Sequence, residues 1–331
     1  MRQNRRQSGQ GTRPPSSARA TSYRRLRNPF IPQAVFSDDA VASMHENALK
    51  VLETLGIKVL LPEARALYAG AGALVDESTE IVRLGRDIIA ATLESCPRSF
   101  EGFGGDPGRT VEFAAGSLVF IGGSSCPNVS DLDRGRRPGQ LSDFIDLVKI
   151  SQHFDVLQVL GNHTEPQDVS VHLRHYAMMR AQLTLSDKMP IVMARGTAQV
   201  EDSFEMIRLA RGQSEEEFRK RAHTYTVINS NSPRMLDRSM AQGIIDFARH
   251  GQPVIMTPFC LAGAMAPITI GGALTLQHAE ALAGIALAQL ACRGAPLLYG
   301  SFLSNVDMKS GSPAFGTPTN AETGSHSSAR L

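Results

Sequence analysis

"TYTVINSNSPRMLDRSMAQGIIDFARHGQPVIMTPF", Thr224 to Phe259, holds two short apolar runs with an amphipathic stretch between them. "TYTVINSNSP" is rich in β-branched residues and closes on a polar, proline-ended turn, so it reads as a buried strand. "MLDRSMAQGIIDFARHG" carries apolar residues at helical spacing and ends on a glycine. "PVIMTPF" then reads as a second strand. Strands without polar alternation, joined through a helix, are the repeating unit of a parallel sheet covered on its outer face. Parallel neighbours need such a crossover, because a tight turn cannot return the chain in the same direction.

The unit recurs on both sides. Apolar runs "SLVFIGG", "DVLQVLGN", "PIVMARG" and "PLLYGS" complete a series of six, with "LSDFIDLVKISQHF", "VHLRHYAMMRAQLTLS", "VEDSFEMIRLARG" and "GGALTLQHAEALAGIALAQLACRG" as further crossover helices. The later strands start at Asp155, Pro190, Thr224, Pro253 and Pro296, about 30 to 43 residues apart. Two α/β architectures fit, an open doubly wound sheet and a (β/α)8 barrel of the TIM type. The first strand–helix turn lacks the GxGxxG of a dinucleotide-binding sheet. Polar residues instead gather at the carboxyl ends of the strands, where barrel enzymes build their sites: Ser124-Ser125, Asn162-His163, Arg195, Asn229-Ser230-Asn231, Thr257 and Ser301. A barrel is therefore expected, but an incomplete one, with about six of its eight strands.

Upstream, "SDDAVASMHENALKVLETLGI" reads as a helix capped by Ser37, with Asp38 and Asp39 at the positive end of its dipole. "IKVLL" reads as a strand, "RDIIAATLESC" as a helix and "GFGGDPG" as a turn-rich link rather than a phosphate loop. The expected division is a disordered basic tail over 1–35, an N-terminal helical extension over 36–115, a partial barrel over 116–318 and a polar tail over 319–331. Eight arginines precede the first acid, Asp38, so the rest of the chain carries −6 within a net +2. An acid-free arginine- and serine-rich start is compatible with a presequence or with nucleic-acid contact, but a solvated tail is the expectation, and the acidic remainder argues against a nucleic-acid-binding fold. No apolar run approaches the roughly 20 residues needed to cross a bilayer. The four cysteines, Cys96, Cys126, Cys260 and Cys292, form no CxxC pair, which suits reduced thiols in a cytoplasm.

"LTLQHAEALAGIALAQLACRGAPLLYGSFLSNVDMKSGSPAFGTP" resembles the trimethylamine:corrinoid methyltransferase family, in its N/Q-H/N-A-E-x-L helix, its strand ending Y-G-S and its D-M/L-K-x-G-x-P loop. "NALKVLETLGIKVLLPEARALYAGAGALVD" and "CPRSFEGFGGDP" also look like that family, so the resemblance spans about residues 36 to 318. It implies a (β/α)8 barrel that passes a methyl group from a methylated amine, trimethylamine or a quaternary amine such as glycine betaine, to a cobalt(I) corrinoid (cobalamin). No cofactor is then bound directly; a partner corrinoid protein carries it. No nucleic acid and no membrane enter this reading, and a homo-oligomer is compatible with it. The family pattern stops at Pro318: Thr319 stands where a glutamate is expected, and "NAETGSHSSARL" follows. The expectation is a truncated member that lacks the last strands and the pyrrolysine position.

The resemblance makes Glu280 and His278 catalytic candidates, since a carboxylate in a barrel mouth attracts an ammonium ion, and Gln277 beside them a substrate-binding candidate. The alternative for all three is helix capping and salt bridging. Asn162, His163, Asn229, Asn231 and Ser301 are substrate-binding candidates by position, against the turn chemistry that asparagine also serves. Tyr299 is a cation–π candidate, against simple packing. His172 and His175 have i, i+3 spacing without a third ligand, and Cys260 has no paired base, so a solvated face and a small buried side chain are expected there. Two rival readings stand beside the methyltransferase: a non-catalytic remnant of the family, and a different barrel enzyme such as a metal-dependent lyase or hydrolase.

Overall fold

The crossover helices form where the apolar spacing puts them. In the computed structural model, which describes residues 23–30, 34–123 and 126–317, the helices are α1 Asp38–Thr54, α2 Pro62–Gly70, α3 Arg86–Ser95, α4 Leu141–His153, α5 Val171–Leu185, α6 Thr197–Arg211, α7 Glu215–Arg219, α8 Arg238–Arg249 and α9 Ile270–Ala291. Local chemistry sets several of the starts. Ser37 Oγ accepts from the Ala40 N–H at 3.2 Å ahead of α1, and Asp237 Oδ1 accepts from the Met240 N–H at 2.8 Å ahead of α8. Each satisfies one of the unpaired donors of a helix's first turn.

Between these helices the apolar runs line up in parallel, each beside the next in sequence. Phe120–Ile121 pairs with Leu157–Val159. Val159 bridges to Met189, and Ile191 bridges to Tyr225. Thr226–Ile228 pairs with Val254–Met256, which pairs with Leu297–Tyr299. The run "PIVMARG" joins only through isolated bridges rather than as a regular strand. Neighbouring helices also pack in series, α4 on α5, α5 on α6, α6 on α8 and α8 on α9. A doubly wound sheet would split consecutive crossovers between its two faces; here they share one. Among the described residues no ladder joins Leu297–Tyr299 to Phe120–Ile121, so the series is open rather than a closed barrel.

Side-chain parity divides the sheet. Thr226 and Ile228 turn outward, and Ile228 is buried in the main core with residues of α6, α8 and α9. Tyr225 and Val227 turn to the opposite, concave face. There Tyr225, Val159, Met189 and Ile191 pack on Val111 and Phe113 of the hairpin Ser99–Gly102/Val111–Ala114, which plugs the amino-terminal end of the sheet. Tyr225 is fully sequestered, and its hydroxyl donates to the Leu160 carbonyl at 2.6 Å. Val227, one step further along, stays 43% exposed, because the concave face is filled only at this end.

The segment expected as a helical extension is mixed. Besides α1, α2 and α3 it contributes Ile57–Val59, Leu74–Asp76 and Ile81–Arg83, which form a four-stranded sheet with Met235–Leu236. Its helices explain the composition of α9. That helix is apolar nearly all round because α1, α2 and α3 cover the side that α8 and the sheet leave open. The basic tail also differs from expectation where it is described. Leu26–Arg27 pairs antiparallel with Ser117–Leu118, while Arg25 and Arg27 form ion pairs with Glu101 and Glu112. The expectations for residues 1–22 and 318–331, including Thr319, lie outside the described residues.

Candidate active site

The carboxyl ends of the parallel strands surround a concave cavity of about 580 Å³. Its wall includes Asn162, Met193, Arg195, Asn229, Thr257, Phe259 and Phe302. Phe259 and Phe302 face each other across the parallel pair Phe259–Ala262/Phe302–Asn305, with ring centroids 5.0 Å apart, and Phe315 packs edge-on against Phe302 at 5.4 Å. The glycine- and serine-rich stretch after this pair folds back on itself: the Asp307 N–H donates to the Ser312 carbonyl at 2.8 Å, and the Ala314 N–H donates to Asn305 at 2.8 Å. That return carries Phe315 to the rim. Asn162 Oδ1 is buried and has no hydrogen-bond partner. Arg195 is half-exposed and pairs with Glu165, which Arg174 also engages at 3.3 Å.

Asn162 and Asn229 are thus the substrate-binding candidates that line the cavity, together with the strand-end residues Arg195 and Thr257. The others lie behind its wall. Glu280, 1% exposed, accepts from the hydroxyls of Ser230 and Ser232 (2.6 Å for the latter) and from the Arg234 N–H at 2.7 Å. Burial holds its carboxyl above the usual range, against the opposing pull of these donors. Gln277 donates to the Pro258 carbonyl at 3.0 Å and to Ser301 Oγ at 2.8 Å, tying two strand-end loops together. Tyr299 turns outward beneath α9, where its hydroxyl meets His278 Nδ1 at 3.2 Å. His278 Nε2 in turn lies 2.8 Å from His45 Nδ1 on α1. Asn231 accepts from the Asp237 N–H at 3.2 Å and so serves the turn before α8. His163 is buried against Ser151 Oγ at 3.1 Å. Ser124 and Ser125 lie outside the described residues.

The lesser candidates resolve in the same way. His172 is exposed, while His175 faces Asp202 of the next helix at 3.2 Å. Cys260 is buried and its thiol is pushed up to about 12 by burial and by Glu280, which keeps it protonated and unreactive at neutral pH. Among the described residues no group of three or more His, Cys, Asp and Glu could hold a metal ion. The aromatic pair Phe259 and Phe302, and Met193, escaped the sequence reading. Only their places just past or near strand ends could have marked them.

The His45–His278 contact has a measurable consequence. Burial, then the neighbouring His45, pushes His278 down to about 4. The unfolded chain takes up this proton near the ordinary value of about 6.5, before the folded chain does. Stability is therefore present above about 6.5 and is lost as pH falls towards 4. Urea unfolding midpoints measured from pH 7 to pH 4.5 should fall, and His278→Gln should flatten that fall; an unchanged slope would show that His278 does not titrate out of step with the unfolded chain.

Comparison with known proteins bears on the whole chain. The family profile for trimethylamine methyltransferase (MTTB) matches residues 2–329. A glycine betaine methyltransferase of Desulfitobacterium hafniense (strain Y51) is 32% identical over 285 residues, covering 86% of this chain and 59% of its own length. Trimethylamine methyltransferase MttB of Desulfitobacterium hafniense (strain DSM 10664 / DCB-2) is 27% identical, covering 86% of this chain and 58% of its own length. The chain therefore spans somewhat under two thirds of these relatives. A solved structure, that of the hydroxylamine MtmB complex, superimposes with a TM-score of 0.45 at 11% identity over 80% of this chain and 60% of that one, too loosely to bear on the fold. With a family match that runs almost from end to end and a relative 32% identical, the chain belongs to the trimethylamine methyltransferase (MTTB) family.

Proposed function

We propose that the chain is a methyltransferase unit that binds a quaternary amine in the concave cavity, and that the amine is one carrying a carboxylate, of the glycine betaine kind. The observation that carries this reading is the cavity lining: two facing phenyl rings, two asparagine amides and a single half-exposed guanidinium, with no carboxylate among them. Phenyl faces attract a cation whose charge is spread over methyl groups. Arg195 offers five donors, of which the nearby Glu165 engages part, leaving others for the carboxylate of a zwitterion. The parallel series is read as the arc of a (β/α)8 barrel, with the cavity at its carboxyl-terminal mouth.

Among the described lining residues there is no carboxylic acid or imidazole, and a quaternary substrate calls for none. When the methyl leaves a quaternary nitrogen, the C–N electron pair stays on nitrogen and a neutral tertiary amine departs, so no proton need be delivered. The chain's share is then to orient the N–CH3 bond and to exclude water, as the apolar wall of Met193, Phe259 and Phe302 would. The methyl acceptor is proposed to be a cobalt(I) corrinoid presented by a partner protein, which supplies the nucleophile. No helix of the described residues is long and apolar enough to cross a membrane.

Calorimetric titration distinguishes this reading from its rivals. Glycine betaine should bind, choline (cationic but without the carboxylate) should bind at least tenfold more weakly, and Arg195→Ala should remove that preference. Equal binding of the two, or a preference untouched by Arg195→Ala, would overturn the carboxylate reading. No binding of any methylated amine would favour a non-catalytic member of the family.

A further inference from the structure

At the opposite, amino-terminal end of the parallel strands lies a second cleft, of about 490 Å³. One wall is aromatic, from Phe100 and Phe103 of the hairpin region. The others are the segment Arg219–Ala222, ahead of Thr226–Ile228, and the segment Arg293–Pro296, ahead of Leu297–Tyr299. Four cations, Arg219, Lys220, Arg221 and Arg293, face a single carboxylate, Glu101.

The ion pairs sort these charges. Arg219 and Lys220 are matched by Glu215 and Glu216, one turn back on α7, and Glu101 is matched by Arg25. Arg221 and Arg293 form no close ion pair among the described residues, Glu217 feeling Arg221 only at longer range. Arg221 lies over the Phe103 ring, 5.1 Å from its centroid, which fixes the guanidinium at the cleft wall. A third cation, outside the cleft lining, is tied to the backbone of Phe103. Arg211 is largely buried, donates to the Phe103 carbonyl at 3.0 Å and meets His223 Nδ1 at 2.7 Å, again with no carboxylate. His223 is itself buried, and its Nε2 has no partner.

Exposed arginines gathered at a concave wall with no ion-pair partner leave a local surplus of positive charge that attracts anions. Here Arg221 and Arg293 place that surplus in one concavity that has an aromatic wall. We propose that this cleft binds a phosphate-bearing small molecule, whose anionic oxygens take Arg221 and Arg293 and whose remaining body lies along Phe100 and Phe103. A phosphate offers two guanidinium groups three oxygens and up to two negative charges, where a carboxylate offers two oxygens and one, so a phosphate suits the cleft better.

The chain has no tryptophan, so calorimetry is the direct probe. ATP without divalent metal, inorganic phosphate and polyglutamate would be titrated into the full chain at low and at 0.5 M salt. ATP should bind with one-to-one stoichiometry, phosphate more weakly, and both should weaken sharply as salt rises, because the contacts are partly exposed ion pairs. Arg221→Ala and Arg293→Ala should each weaken ATP about tenfold or more. Both side chains are exposed, so thermal midpoints should not move, and glycine betaine binding at the other end of the strands should be untouched. No heat with either phosphate compound, ATP binding indifferent to both variants, or binding of polyglutamate alone would each overturn the proposal, the last in favour of an acidic protein partner.

Discussion

Glu280→Ala is expected to lower the unfolding free energy by about 2–4 kcal/mol, read from urea unfolding at pH 7. The carboxylate is the shared acceptor for three donors of the segment Ser230–Arg234, and its loss strips the Ser230 hydroxyl and the Arg234 N–H of this acceptor and leaves the Ser232 hydroxyl only the Cys260 thiol, 3.1 Å away. Each orphaned donor costs about 1–3 kcal/mol, and removal of a carboxyl that burial already disfavours offsets part of the total. Glu280→Gln keeps the volume and one acceptor oxygen, and should cost less. The pH behaviour separates the charge from the shape. Because burial raises the folded carboxyl above its ordinary value, folding opposes its ionisation, and the stability it contributes falls as pH rises from the ordinary carboxylate range through the folded value. That sign is opposite to the one expected for His278, and Glu280→Gln should abolish it. The variant also tests the residue's role: if Glu280→Ala leaves stability within about 0.5 kcal/mol of the parent yet abolishes glycine betaine binding, the carboxylate serves the ligand directly and the structural account fails.

Gly161→Ala should cost about 3 kcal/mol, the upper end of overpacking, although it adds only one methyl group. A Cβ at this position would lie 1.4 Å from the Gly122 carbonyl oxygen, 2.5 Å from its carbon and 2.8 Å from the Gly123 carbonyl oxygen. These are backbone atoms of the neighbouring segment, so no side chain can swing aside; the two chains must separate. They meet just past the Phe120–Ile121/Leu157–Val159 pair, next to Asn162 at the cavity wall. The substitution should therefore also weaken amine binding. Gly70→Ala is the control, because nothing lies within 4 Å of the added Cβ and its φ is not in the left-handed range. It should be neutral or slightly stabilising. A Gly161→Ala protein as stable as Gly70→Ala would mean that the two segments do not approach so closely.

The strand–helix alternation was legible because it is local. Each crossover needs its own apolar stripe and each strand its own β-branched run, so period and spacing were enough to place α4, α5, α6, α8 and α9. The mixed nature of residues 36–115 was legible only in part: "IKVLL" reads as a strand and the structure has one at Ile57–Val59, but its sheet partners carry no such signal. The three-residue strands Leu74–Asp76 and Ile81–Arg83 are too short for alternation to register, and one partner of Ile57–Val59, Met235–Leu236, is supplied from far along the chain. The pairing of Leu26–Arg27 was hidden for the same reason, since an arginine-rich segment carries no apolar signal of the strand it joins.

From the residues alone came the order of elements, the family motifs and the gathering of polar groups at strand ends. Which of those groups reach the cavity was decided only by tertiary structure. In a strand, adjacent residues point to opposite faces, so Asn229 lines the cavity while Ser230 turns to the Glu280 carboxylate behind it, and a shift of one residue would exchange them. In α9 the apolar residues run all round, so no stripe tells which way Gln277, His278 and Glu280 face. Their direction is set by the helices of the amino-terminal segment, which close over α9 and bring His45 against His278 from more than two hundred residues away. Facing is a property of packing between distant segments, and no local pattern of residues encodes it.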